Sequence, residues 1–100
     1  MSGPSVQLHP DALEEAEAAI DWYRRRSFRA AERFLDELEE VIKRIDSDPG
    51  QFPGYAFGTR KALLDRFPYL VIFRETAKGV EIIAVAHGRR RPGYWRDRVE

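Results

Sequence analysis

The sequence contains no cysteine, which excludes a disulfide framework, a thiolate metal site and a cysteine nucleophile. Its two histidines, His9 and His87, lie far apart and show no metal-ligand spacing. Long hydrophobic runs are missing too. The longest are "YLVIF" and "VEIIAVA", the second broken by Glu81, whereas a bilayer span needs about 20 apolar residues. The opening "MSGPSVQLHP" lacks both a basic start and an apolar stretch, so no signal peptide is expected. No Gly-rich phosphate loop, G-x-S-x-G or His-x-x-x-His occurs, so the familiar phosphate, hydrolase and zinc-protease constellations are excluded. A cytoplasmic protein without metal, cofactor or small-molecule ligand is the expectation.

What is present fits one modest core. Residues 1–100, 43% apolar and 34% charged, predict a single globular domain. Charge of one sign is absent overall, since 17 Lys and Arg meet 17 Asp and Glu. That balance hides an asymmetry. Residues 1–50 carry 7 basic against 12 acidic side chains, and residues 51–100 carry 10 against 5. Such a dipole suggests halves that face different partners.

Periodicity supplies the elements. "SVQLH" alternates as a short strand. Pro10 sits where a first helical residue belongs, and Leu13, Ala16, Ile20 and Tyr23 recur at helical spacing. Arg24, Arg25 and Arg26 close that helix, where cations suit its carboxyl end. Ser27 can cap a second helix with Ala31, Phe34, Leu38, Val41 and Ile45 on one seam, widened by Leu35 and Ile42. With almost no linker, the pair predicts an antiparallel hairpin. "DPGQFPGYAFG" is a loop, and after it the period becomes two. "TRKALLD", "YLVIFRE" and "VEIIAVA" are three strands; the last is apolar on both sides and so central. The fold class is α+β: an N-terminal strand, an antiparallel helical hairpin, then a three-stranded antiparallel meander (β-α-α-β-β-β). Leu38, Val41, Ile45, Val71, Ile83 and Val85 are expected in the core.

The remaining feature is "HGRRRPGYWRDR", which gathers five arginines, a histidine, a tyrosine and a tryptophan. An imidazole beside guanidiniums could move a proton of a ribose hydroxyl while cations steady the phosphorane. Arginine also forks onto phosphate, and Tyr94 and Trp95 could stack on unpaired bases. Carboxylates on the second helix, such as Asp36 and Glu40, read as a solvated surface.

"LLDRFPYLVIFRE" followed by "VEIIAVAHGRRRPGYW", with "HPDALEEAEAAIDWY" and "DSDPGQFPGY" before them, resembles RelE/ParE-superfamily toxins of bacterial type II toxin–antitoxin modules over nearly the whole chain. The resemblance implies the toxin component of such a plasmid-stabilisation-like module, neutralised by a cognate antitoxin from an adjacent gene. It also implies two activities on one fold. RelE-like members cleave mRNA on the ribosome; ParE-like members poison DNA gyrase without known catalysis. The positions where RelE-like enzymes carry strand cations hold Lys61 but also Leu63 and Asp65. That departure favours the ParE-like branch and a non-enzymatic toxin. On this reading His87, Arg89, Arg90, Arg91, Tyr94, Trp95 and Arg96 contact the target. Trp22, Tyr55, Phe57 and Trp95, aromatics more than a small core can hide, would hold the antitoxin. The ribonuclease alternative would use His87, Arg90, Tyr94 and Lys61, with ribosome and mRNA as partners. A non-toxic protein- or RNA-interaction module would show the same stripes.

Overall fold

A computed structural model describes residues 6–100. The elements run β1 (Val6–Leu8), α1 (Pro10–Arg24), α2 (Phe28–Ser47), β2 (Arg60–Leu63), β3 (Tyr69–Thr76) and β4 (Gly79–His87), in the expected β-α-α-β-β-β order. Ser5 of the expected first strand lies outside the described residues. His9 belongs to the helix start rather than the strand, because its Nδ1 accepts the Asp11 N–H at 3.1 Å, one residue beyond Pro10. Ser27 Oγ accepts the Ala30 N–H at 3.2 Å, a cap worth about 1 kcal/mol.

The seam of α2 is buried as expected at Ala31, Phe34, Leu38, Val41 and Ile45. Leu35, which should have widened it, is 38% exposed. On α1 the expectation needs correction at Leu13, which is 48% exposed. The helix seats instead by Ala12, Ala16 and Ala19, with Tyr23 continuing the line. These positions also recur at helical spacing, and their small side chains let α1 lie close to β4. A reading that weights large apolar residues picks the neighbouring line.

The sheet order is β1-β4-β3-β2, with β2, β3 and β4 antiparallel and β1 parallel to β4. Central β4 is buried on both faces. Ile72 pairs with Ala84 and Phe73 with Ile82, so Ile83 is a bulge. The bulge turns Ile83 and Ala84 to the same side. The hairpin covers one face of the sheet, over Val71, Phe73, Ile82 and Val85.

The other face carries a second core. Ile72, Ile83 and Ala84 are covered by Trp95, with Tyr55, Leu70, Tyr94 and Val99 around it. After β4 the chain turns, passes Gly93 at φ 83°, and ends in a 3-10 turn, Arg96–Val99. Trp95 is 2% exposed. This corrects its expected place on a working surface. A sheet with two apolar faces needs two covers, and the C-terminal segment supplies the one the hairpin cannot.

Candidate functional site

β1 stops pairing at Leu8, opposite Ile82, so the last residues of β4 continue without that neighbour. A bare strand edge leaves backbone donors and acceptors to be satisfied. Here side chains do it. Glu15 Oε1 accepts the Val85 N–H at 2.9 Å, and Arg98 Nη1 donates to the Ile83 carbonyl at 3.0 Å. The two side chains also pair with each other, Nη1 to Oε1 at 3.0 Å and Nη2 to Oε2 at 2.9 Å. Tyr94 Oη donates to Glu15 Oε2 at 2.7 Å. Glu15 thus ties α1, the edge of β4 and the C-terminal segment together. Burial, then the hydrogen bond to Glu15, push the Tyr94 hydroxyl well above the usual tyrosine range. Burial works against the Arg98 charge, but the bonds to Glu15 outweigh it and raise the guanidinium's pKa.

Above this knot lies a cleft of about 430 Å³ between α1 and the tip of β4. Glu15, Ala18 and Trp22 line it from one side of α1, and His87, Arg90 and Tyr94 line it from the C-terminal half. Helical spacing puts the α1 residues on one flank, and two alanines, Ala18 and Ala19, keep the space open. An aromatic cluster reaches the cleft through Tyr69: Phe34 meets Phe67 at 5.2 Å and Tyr69 at 5.1 Å, and Tyr69 meets the His87 ring at 5.1 Å. Trp22 is 47% exposed, with the Arg26 guanidinium 3.6 Å from its ring centre.

Glu15 is satisfied by its own partners, and the polar groups left to face the cleft from the C-terminal half are donors. His87 Nδ1 accepts the Arg89 N–H at 3.0 Å, so the neutral imidazole carries its proton on Nε2. Arg90 lies over the Tyr94 ring at 3.8 Å, a stacked guanidinium with N–H groups left for an anion. Apolar walls with a few convergent donors suit a large apolar side chain next to a carboxylate. Among the described residues no group of three or more His, Asp and Glu is placed to hold a metal ion. No helix among them is long and apolar enough to cross a membrane.

Of the residues singled out by sequence, the structure brings His87, Arg90, Tyr94 and Trp22 together. Arg89 and Arg91 stand exposed in the adjoining turn. Lys61, Tyr55, Phe57 and Arg96 do not join them. Lys61 is the cross-strand partner of Ile72, on the second-core face, and its Nζ lies 4.6 Å from the Tyr55 ring centre. Glu15 and Arg98 are the site residues that sequence reasoning missed. The helical spacing of Asp11, Glu15, Ala18 and Trp22 was available as a signal; the partner 83 positions away was not.

The family described as ParE toxin of type II toxin-antitoxin system, parDE, matches residues 6–92. Among solved structures, the chain is similar to one from the chromosomal ParDE TA system of P. aeruginosa, with a TM-score of 0.72 and 21% identity. The alignment covers 82% of this chain and 92% of that one, which shows a shared fold. No curated protein sequence matches the chain. With a family match across almost all of its length, and the strand, hairpin and meander already in hand, the chain belongs to the ParE toxin family of type II toxin–antitoxin systems.

Proposed function

We propose that this toxin acts in the cytoplasm by binding DNA gyrase, cuts no bond itself, and is neutralised by an antitoxin segment that occupies the cleft beside Trp22. The supporting observation is what the cleft lacks as a ribonuclease site. A general base needs a free lone pair facing the proton it removes. The neutral His87 ring accepts at Nδ1 from the Arg89 N–H, leaving Nε2 as a donor. The Tyr94 hydroxyl donates to Glu15, with its pKa raised. Lys61 sits on the opposite face of the sheet. Of the four groups a cleaving enzyme would combine, Lys61 is thus separated by the sheet from His87, Arg90 and Tyr94, and His87 Nδ1 is already engaged by the Arg89 N–H.

As a binding surface the same groups are well suited. His87 ends β4, and Arg89, Arg90 and Arg91 stand exposed in the turn that follows it, where charges of one sign speed and orient association. An amphipathic acidic segment fits the cleft by the same chemistry, so neutralisation and target contact draw on overlapping residues.

The test maps 5′ ends of cellular mRNA after induction. The His87→Gln variant, which keeps a side-chain donor, should retain most toxicity, with bulk mRNA intact in both strains. Reversing Arg89 and Arg90 to Glu should abolish toxicity while the protein stays folded. Rapid codon-dependent cleavage by the parent that disappears in His87→Gln would replace this reading with the ribonuclease one.

A further inference from the structure

Phe57 breaks a backbone rule. Its φ of 60° and ψ of 37° lie in the left-handed region, which costs a side-chain-bearing residue about 1–2 kcal/mol and which glycine or asparagine adopts readily. The ring is nonetheless 49% exposed, so the conformation does not serve to hide it. The turn around it is tightly held. Tyr55 N–H donates to the Thr59 carbonyl at 2.7 Å, and Thr59 Oγ1 donates to the Ala56 carbonyl at 2.6 Å. Gly93 leaves room for the ring, because a Cβ there would stand 3.2 Å from Phe57 Cε2. The Trp95 indole meets it edge-on from below at 5.8 Å. A half-exposed phenylalanine held in a conformation it disfavours is being presented.

Its neighbours give the partner's chemistry. The Arg96 guanidinium lies 4.9 Å from the Phe57 ring centre, and Lys61 Nζ 4.6 Å from that of Tyr55. Arg96 also meets Glu100 at 3.5 Å, but both side chains are more than 60% exposed, so that pair holds it only weakly. The patch is an apolar knob flanked by two cations, on the sheet face away from the hairpin and the cleft, in the half of the chain with a balance of +5.

We propose that Phe57, with Tyr55, Lys61 and Arg96, is a second docking surface, separate from the cleft, for an acidic peptide segment of a partner protein that carries a large apolar side chain. Single-stranded nucleic acid is the poorer fit. Base stacking needs bare aromatic faces, and here cations already lie over both rings. The inference does not depend on which target the toxin poisons. It does carry a structural consequence: a partner engaging both surfaces must wrap the sheet, and two partners could occupy them at once.

The test titrates the full-length protein with a short peptide alternating glutamate with leucine and phenylalanine, following backbone amide shifts by NMR. Shifts should centre on Phe57, Gly93 and Arg96. Phe57→Asn removes the ring and suits the left-handed turn, so it should fold while weakening the peptide about tenfold or more, the loss expected of a central aromatic anchor. Lys61→Glu and Arg96→Glu should weaken it as well, independently of how Phe57→Asn folds. Arg90→Ala, in the cleft, should leave the peptide-induced shifts at Phe57, Gly93 and Arg96 as they are in the parent, whatever it does to binding in the cleft itself. Unchanged affinity in Phe57→Asn or in both charge reversals would overturn the proposal. So would equal binding of a lysine-for-glutamate peptide, preference for oligothymidylate, or self-association of the chain through this patch in place of peptide binding.

Discussion

Glu15→Ala is the most telling single change in the fold. The parent carboxylate accepts from Val85 N–H, Tyr94 Oη and two Arg98 nitrogens, all between 2.7 and 3.0 Å. Its side chain is 18% exposed and that of Arg98 is 15% exposed. Truncation therefore leaves a phenol and a backbone N–H without their acceptor, and a largely buried guanidinium with only the Ile83 carbonyl at 3.0 Å and Asp11 at 3.6 Å. Breaking a buried ion pair on one side costs about 3–5 kcal/mol, and residual exposure places this case near the lower end, about 3 kcal/mol. For a domain of this size that lowers Tm by roughly 12–24 °C. Glu15→Gln keeps an acceptor for Val85 and should fall between parent and Glu15→Ala. Urea denaturation followed by tryptophan fluorescence reads these values, and Arg98→Met completes a cycle with Glu15→Ala. The double variant should be less unstable than the two losses summed, because each single change strands the other partner. A Glu15→Ala loss below about 1 kcal/mol, or strict additivity with Arg98→Met, would refute the claim that this pair holds the C-terminal segment in place.

Other outcomes follow from particular contacts. Trp95→Ala removes the largest side chain of the second core and should cost about 3–5 kcal/mol, seen as loss of cooperative thermal unfolding. Gly93→Ala puts a side chain at φ 83°, 3.2 Å from Phe57, and should cost about 1–2 kcal/mol in the same assay. Leu13→Ser, at a position 48% exposed, should change stability by less than about 0.5 kcal/mol. The Tyr94 hydroxyl is raised by burial and by Glu15, so the folded state keeps its proton after the unfolded chain begins to lose it. Its contribution is complete below the ordinary tyrosine pKa of about 10 and falls as pH rises beyond it. Tyr94→Phe should flatten that alkaline decline without abolishing it, since burial also raises Tyr23 and Tyr69. Urea midpoints measured across this range check the slope.

Where periodicity carries structural information, the sequence was legible. The α2 seam, the alternation of Tyr69, Val71 and Phe73 against Leu70 and Ile72, and the two-sided β4 all dictate burial through spacing alone. Leu13 was misread because hydrophobicity outweighed size: close helix–sheet approach selects the alanine line. The tail was half legible. Its arginines and aromatics announced a site, yet nothing local distinguishes Trp95, which turns into the second core, from Tyr94, which stays at its edge. That choice is made by Ile72 and Ile83 far back in the chain. Glu15 was hidden for the same reason, since a carboxylate in a helix's early turns reads as dipole complementarity until its partner from the other terminus is seen. Tyr55 and Phe57 read as one aromatic group with Trp22, although the sheet separates them. Composition counts exposed aromatics without saying which face they share.

The proposed target of this ParE-family toxin is gyrase, engaged through the His87–Arg91 turn and its cleft. Supercoiling of relaxed plasmid by purified gyrase, titrated with the parent protein and with the Arg89→Glu, Arg90→Glu double variant, tests it most directly. The parent should inhibit supercoiling and trap cleaved plasmid, and the folded charge-reversed protein should do neither. Undiminished supercoiling at saturating parent protein, in a preparation that arrests growth when expressed, would contradict it.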